Sequence, residues 1–236
     1  MNTNTSIEDT RPIIFFCAFA LKQAVQDLIL PAFLKAGGTP VEAVFEPTFR
    51  LLTRIESGAR PDVMAGITGS LADLVAANIL TEPRPAARTG VGVAVAPDAP
   101  IPDISTVEAF IAAVTSARSV AYSRSGPSGI YFAGLLERLG IAEQVKARGT
   151  IIDSGPTAAA LLDGRADIAI HQLSELILVP EAKIVGPLPE AIQEYTDFST
   201  ALGSHPSRPA GAAELRDFLH SPEAVAAYTA NRLETA

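Results

Sequence analysis

Residues 119–131 read SVAYSRSGPSGIY, and this stretch combines a short apolar strand, a hydroxyl- and glycine-rich loop and the start of a helix. Val120 is β-prone, and the helical apolar spacing that begins at Ile130 ends at Gly140. A strand that leads through a polar loop into a helix directs free N–H groups and the positive helix dipole at one point, where an anion can bind. The alternative interpretation is an ordinary loop with serine caps, and both interpretations stay open here.

The same alternation of strands and helices continues along the chain. Short apolar runs predict further strands at 13–17, 41–45, 62–67, 91–96, 150–153, 167–172, 183–185 and 198–202. Helical spacing predicts helices at 21–35, 48–57, 71–78, 105–116, 130–139, 156–163, 210–219 and 222–232. Ser70 and Thr106 are the expected N-caps of two of these helices. This order predicts an α/β protein with a parallel sheet covered by helices.

The domain organisation follows from two extended segments, near 91–97 and 193–202, which join two runs of strands and helices. They predict two α/β lobes, with a ligand cleft between them at the carboxyl ends of the strands. The expected bounds are 12–92 with 198–236 for the first lobe, 93–197 for the second lobe and 1–11 for a disordered tail.

Composition limits the class of function. The chain has 236 residues and a formal net charge of −8, which argues against a nucleic-acid-binding surface. Cys17 is the single cysteine, so an internal disulfide and a cysteine-cluster metal site are excluded. Three scattered histidines make a zinc site improbable, and we expect neither a metal nor a cofactor.

The amino-terminal segment bears on the location of the protein. Residues 1–11 are polar and contain no basic region ahead of an apolar stretch, and the apolar run 13–20 is too short to cross a bilayer. We therefore expect no membrane insertion. We expect a cytoplasmic protein if Met1 is the natural start, and a periplasmic one if a leader precedes it.

The order of elements resembles the periplasmic molybdate-binding protein family, which has the type II periplasmic-binding-protein fold. The segments that carry this resemblance are 45–63, 127–131, 164–170 and 218–224. The resemblance covers 13–231 and implies two α/β lobes around an anion cleft. At the positions where the family presents two serines and a late tyrosine to the oxyanion, this chain has Ala20, Thr48 and Gln172. The lost hydroxyl and the nearby Lys22 favour a carboxylate over molybdate.

A narrower resemblance is to the aconitate isomerase-like subgroup of this superfamily. The segments that carry it are 119–123, 128–131, 171–176 and 185–189. Members of this subgroup include an enzyme that shifts a double bond in a small tricarboxylate by moving a proton, and also many solute-binding proteins. The resemblance implies a carboxylate ligand and isomerase chemistry. His171 departs from the subgroup, which commonly has Gln at this place.

Two cleft residues are the candidate catalytic groups. His171 ends a predicted strand, and a histidine with an ordinary pKa near ~6.5 is suited to proton transfer. Glu175 lies one helical turn further on, where it is able to orient His171 or to act as the base itself. The alternatives are a histidine hydrogen-bonded at a strand end and a glutamate that starts a helix. Both stay open.

The candidate substrate-binding residues are Lys22, Thr48, Ser125, Ser128, Gly129, Tyr131 and Gln172. Lys22 is expected to pair with a ligand carboxylate, or else to be a solvated lysine at a helix start. Ser125, Ser128 and the Gly129 backbone are expected to cradle a carboxylate. Tyr131 either donates its hydroxyl to the ligand or packs between helices.

Two functions fit these residues. The first is a cofactor-independent cytoplasmic isomerase that shifts a double bond by proton transfer in a small unsaturated di- or tricarboxylate. The second is a solute-binding protein that closes on a carboxylate or oxyanion without chemistry, either as a component of an importer with its permease or as a sensor. The partner in the first case is only the small anionic ligand.

Overall fold

The computed structural model describes residues 11–235. Apart from Arg11, the expected disordered tail lies outside the described residues. The strands are β1 Ile13–Ala18, β2 Val41–Glu46, β3 Val63–Ile67, β4 Arg84–Val95, β5 Val120–Ser123, β6 Thr150–Ile152, β7 Ile168–Gln172, β8 Lys183–Pro187, β9 Tyr195–Leu202 and β10 Glu234–Thr235.

The helices lie between these strands and at the carboxyl-terminal end. They are α1 Lys22–Ala24, α2 Leu30–Lys35, α3 Thr48–Glu56, α4 Ala72–Ala76, α5 Val107–Ser116, α6 Pro127–Arg138, α7 Ala142–Lys146, α8 Ala159–Leu162, α9 Leu173–Leu176, α10 Pro209–Phe218 and α11 Pro222–Ala230. A π-helical turn at Val25–Ile29 joins α1 to α2, so the predicted helix at 21–35 is continuous but not uniform.

The strands form one mixed sheet in the order β2-β1-β3-β9-β4-β7-β5-β6, with β8 and β10 paired to β4. β1, β2 and β3 are parallel to one another, and so are β5, β6 and β7. β4 and β9 run antiparallel to each other and to their neighbours β7 and β3. The prediction of a parallel sheet is therefore wrong for these strands. The chain leaves the first parallel group along β4 and returns along β9, and two such crossings must run in opposite directions.

Two groups of apolar clusters mark the two lobes. The first lobe holds buried residues from 13–87 and from 198–233, including Phe15, Leu51 and Tyr228. The second lobe holds buried residues from 91–188 only. Each lobe therefore has its own core, and the expected α/β fold with two lobes is confirmed. The expected bounds at 92 and 197 remain a prediction.

The structure confirms one of the two predicted N-caps and moves the start of one predicted strand. The hydroxyl of Thr106 accepts a hydrogen bond from the Ala109 N–H at 3.1 Å, so it caps α5 as predicted. The prediction for Ser70 is wrong, because Ser70 lies in a 3₁₀ turn and α4 has no side-chain cap. β4 begins at Arg84, well before the predicted residue 91. Pro85 does not prevent this, because it lies at an irregularity in the pairing of β4 with β9, where a strand tolerates proline.

Candidate functional site

A cavity of about 600 Å³ lies where the carboxyl ends of the parallel strands of both lobes meet. From the first lobe it is lined by residues that follow β1, β2 and β3, and from the second lobe by residues that follow β5, β6 and β7. This is the place where α/β sheets bind ligands, because loops and helix N-termini converge there. Four phenylalanines contribute to the lining: Phe19, Phe45, Phe49 and Phe198.

The first-lobe wall is built on the turn from β2 into α3. Pro47 precedes the helix, and Thr48, Phe49 and Arg50 form its first turn and line the cavity. The hydroxyl of Thr48 accepts a hydrogen bond from the Ile67 N–H at 3.3 Å, which joins the helix start to the end of β3. Arg50 donates its N–H to the Pro47 carbonyl at 2.9 Å, which leaves the N–H groups of Thr48 and Phe49 without a partner among the described residues.

One acidic side chain on this wall, that of Glu46, has its negative charge balanced by an arginine. Arg54 donates from Nε to one oxygen of Glu46 at 2.8 Å and from a terminal nitrogen to the other at 2.6 Å. The hydrogen bond from Arg54 lowers the pKa of Glu46, although partial burial opposes the effect. Glu46 is therefore an ionised carboxylate held in a two-pronged ion pair. Arg54 was not among the site residues predicted from the sequence.

The second-lobe wall contains the loop after β5. Ser125 and Gly126 line the cavity, and Gly126 donates its N–H to the Ser123 hydroxyl at 3.0 Å. Ser128, only 2% exposed, has a hydroxyl with no hydrogen-bond partner among residues 11–235. A Cβ atom on Gly129 would lie 1.8 Å from the Ser123 carbonyl oxygen, so only glycine allows α6 to start this close to β5. Ser128 and Gly129 lie behind the lining rather than in it.

Two further predicted binding residues, Lys22 and Tyr131, also lie outside the cavity lining. The Tyr131 hydroxyl donates to the Ile192 carbonyl at 2.8 Å, and the Arg138 guanidinium lies 5.0 Å from the Tyr131 ring centroid. Lys22 places its ammonium nitrogen 5.5 Å from the ring centroid of Phe19, which itself lines the cavity. Tyr131 is thus engaged in packing, and Lys22 lies behind an aromatic side chain.

The end of β7 brings the two candidate catalytic residues to the cavity. The Nδ1 atom of His171 lies 3.5 Å from an oxygen of Glu175, and the two side chains are 7% and 15% exposed. The pair has the distance of an ion pair but not the alignment of a hydrogen bond, so His171 Nδ1 has no hydrogen-bond partner in the described chain. Burial raises the pKa of Glu175, and the His171 charge opposes this effect.

Gln172, the next residue, lines the cavity and donates from Nε2 to the Thr196 hydroxyl at 2.8 Å. Gln172 is therefore tied to β9, one of the two strands that link the lobes. The ends of β5 and β6 add an ion pair that the sequence did not predict, in which Arg124 donates to Asp153. Asp153 lines the cavity, so Arg124 is occupied by a protein carboxylate.

Within 11–235 no three His, Cys, Asp or Glu side chains are grouped so as to hold a metal ion. None of the helices in the same range has the length and apolar character that crossing a membrane requires.

The profile of the bacterial extracellular solute-binding protein family matches residues 13–231. The chain belongs to this family. It is 31% identical over 207 residues to the aconitate isomerase of a Pseudomonas species, which covers 84% of this chain and 79% of that protein. The predicted resemblance to the superfamily and to its aconitate isomerase-like subgroup is thereby confirmed.

Solved structures show the same fold at low sequence identity. The periplasmic molybdate-binding protein of Azotobacter vinelandii is 18% identical, with a TM-score of 0.75 over 95% of this chain and 99% of that one. The tungstate-binding protein TupA of Desulfovibrio alaskensis is 14% identical, with a TM-score of 0.65 over 96% and 99% of the two chains. These likenesses establish the two-lobed periplasmic-binding-protein fold.

Proposed function

We propose that this protein is an isomerase that shifts a double bond by proton transfer in a small unsaturated di- or tricarboxylate. The observation that carries the proposal is the buried His171–Glu175 pair on the cavity wall, where His171 has a ring nitrogen without a hydrogen-bond partner among the described residues. Buried polar atoms are normally satisfied, so an orphaned ring nitrogen at a cavity points to a ligand or a reacting group. The aconitate isomerase relative supports the same reaction class.

In the proposed reaction the neutral imidazole of His171 takes a proton from the methylene carbon beside the double bond. The electron pair left on that carbon shifts the double bond by one position, and the negative charge spreads onto the adjacent carboxylate as a dienolate. The proton then returns to the far carbon of the original double bond. Substrate and product have the same formula and charge, so the step is balanced without an oxidant, a reductant or a second substrate.

The surroundings fit the charges that develop in this step. Glu175, 3.5 Å from the imidazole, stabilises the imidazolium that forms when His171 accepts the proton. The N–H groups of Thr48 and Phe49 at the start of α3, together with the Ser125 hydroxyl, are donors for the dienolate. Donors fixed by the fold do not have to reorganise during the reaction, which is how such groups lower a barrier.

The cavity also favours an organic acid over a tetrahedral oxyanion. Its volume of about 600 Å³ lies in the range of sites for small organic ligands. Phenylalanine side chains on its wall offer contact to a hydrocarbon skeleton and none of the hydrogen bonds that an oxyanion needs. The ligand class that we propose is therefore a carbon chain with carboxylates at its ends.

The second candidate function is a non-catalytic binding protein for a small carboxylate or oxyanion, with an importer permease as its partner or with a sensing role. The membership of a solute-binding family and the molybdate- and tungstate-binding neighbours favour it. We propose a cytoplasmic location for the isomerase and a periplasmic one for the importer component. Cell fractionation with an antibody to the chain separates the two locations.

Proton NMR of the purified protein with trans-aconitate in deuterated water tests the proposed function. Conversion to the cis isomer, with deuterium entering the allylic position, is the expected result. Line broadening of trans-aconitate without conversion would replace the isomerase by the binding protein. If the protein neither converts nor binds this acid, the isomerase hypothesis and the carboxylate-binding hypothesis both fail, and molybdate is the next ligand to titrate.

A further inference from the structure

Arg50 is a charged residue of the cavity wall to which no role has been given. It lies in the first turn of α3, is exposed, and has no ion pair within residues 11–235. The other arginines near the cavity differ in this respect, since Arg54 is held by Glu46 and Arg124 by Asp153. Arg50 is therefore a guanidinium that faces the cavity with its charge unmatched.

The neighbouring acid does not compensate this charge. Both oxygens of Glu46 are taken by Arg54, and Arg50 has the weakest of the influences on the pKa of Glu46. The position in the helix adds to the imbalance, because the first turn of α3 contains no acidic residue and a helix N-terminus already carries positive potential. The dipole of α3 does not stabilise an arginine at this end of the helix. A bound anion, in contrast, would be attracted by both the Arg50 guanidinium and the N-terminus of α3.

The guanidinium also lies close to an aromatic side chain of the cavity wall. Its central carbon lies 5.9 Å from the ring centroid of Phe49, a lining residue that is 49% exposed. A guanidinium within about 6 Å of a ring centroid is attracted by the negative face of the ring. From the opposite lobe, the His171 side chain, which is 7% exposed, lines the same cavity. A ligand between the lobes therefore meets a cation on one side and the proposed base on the other.

We infer that Arg50 binds one carboxylate of the ligand in a two-pronged ion pair and so selects substrates that carry that carboxylate. The inference rests on the proposed function for the class of ligand. Arginine matches a carboxylate with two parallel N–H donors, and such pairs give geometric selectivity as well as affinity. Holding one carboxylate at the start of α3 places the hydrocarbon skeleton against the phenylalanine wall and directs its other end to the second lobe.

A ligand series makes this testable. Trans-aconitate carries three carboxylates, and mesaconate, cis-glutaconate and itaconate each lack a different one of the three. Affinities of the wild type, Arg50→Gln and Arg50→Lys are measured for all four acids by isothermal titration. We expect Arg50→Gln to weaken trans-aconitate and two of the dicarboxylates by about 10- to 100-fold and to leave the third unchanged. Arg50→Lys should recover part of the loss, because lysine keeps the charge but not the fork.

Arg165→Gln is the matched control, since Arg165 is an exposed arginine outside the cavity lining and loses the same charge. Thermal unfolding of each variant verifies that the fold is kept. Equal affinities for the wild type and Arg50→Gln, or the same loss for all four acids, would overturn the inference, as would a wild type that binds none of them. Turnover is recorded separately, so selective binding without conversion would remove the isomerase and leave the role of Arg50 standing.

Discussion

Two histidines of this protein, the buried His171 and the half-buried His220, have different surroundings. In the first lobe, His220 Nε2 is hydrogen-bonded to the buried Thr200 hydroxyl at 2.7 Å. At the cavity, His171 Nδ1 has no hydrogen-bond partner among the described residues and has a glutamate 3.5 Å away. A satisfied polar group stabilises a fold, whereas an unsatisfied one costs stability unless a ligand completes it. The comparison teaches that the hydrogen-bond partners of a histidine distinguish a structural role from a functional one better than its position in a lobe does.

The largest effect is expected for His171→Gln. Glutamine is polar and of similar reach, but it does not accept a proton near neutral pH, so turnover should fall by about 10²- to 10⁴-fold. The rate of deuterium entry from NMR gives turnover, and titration of trans-aconitate shows that binding remains. His220→Gln is the matched change in the first lobe and should keep wild-type turnover. Equal losses of turnover in His171→Gln and His220→Gln would show that the two histidines do not differ in function.

A smaller effect on turnover, about tenfold, is expected for Glu175→Gln, since the imidazolium loses the neighbouring carboxyl group that stabilises its charge. Burial raises the pKa of Glu175, so the folded protein disfavours its ionised form. The free energy of unfolding of the wild type should therefore fall, relative to Glu175→Gln, as the pH rises from the ordinary value of 4.5 through the folded-state pKa.

Urea unfolding between pH 4 and pH 8 measures this difference, and Glu143→Gln is the control because Glu143 is exposed in the same lobe. A gap between the wild type and Glu175→Gln that does not widen with pH would show that burial does not disfavour the ionised form of Glu175.

The smallest effect concerns His220 and leaves turnover unchanged. Burial, followed by the charges of Arg84 and Arg216, lowers the pKa of His220 from 6.5 to about 4. The neutral form is thus favoured in the folded state, so this stabilisation is complete above pH 6.5 and is lost as the pH falls towards 4. Because one pKa unit is worth about 1.4 kcal/mol and His220 is partly exposed, we expect a change of roughly 1–2 kcal/mol.

The His220→Gln variant should show a flatter dependence of unfolding free energy on pH over this range. His205→Gln, at an exposed histidine, serves as the control and should follow the wild type. If His220→Gln and the wild type lose stability in parallel between pH 6.5 and 4, the histidine in the first lobe is not held neutral by its surroundings.

Much of the fold was predictable because apolar periodicity reports which faces are buried. The strand preceding the 123–129 loop and the helix following it were found in this way. Strand direction has no such signal, so the antiparallel course of β4 and β9 was missed. The five-residue α7 was also missed as an element, because little more than one turn is too short to show a period.

The candidate site was predicted in part. His171, Glu175, Gln172, Thr48 and Ser125 all line the cavity, since residues at the carboxyl ends of strands meet there. Their roles remain a prediction. Tyr131 has a hydroxyl, but which partner it bonds depends on a carbonyl 61 residues away, which local sequence does not reveal. Arg50 was overlooked because an exposed arginine in a helix is indistinguishable, in sequence, from any solvated one.

The first core is built from two separate parts of the chain, and this affects the order in which the lobes fold during synthesis. That core joins residues from 13–87 with residues from 198–233, whereas the second core is complete at 188. During synthesis, all residues of the second core are therefore available once residue 188 has left the ribosome. The first core is still incomplete at that point, because residues 198–233 have not yet emerged. We expect the second lobe, with His171 and Glu175, to be folded first, which reverses the usual order from the amino terminus. Until the last helices emerge, the apolar face of β1 lacks its cover and is the surface for a chaperone to protect.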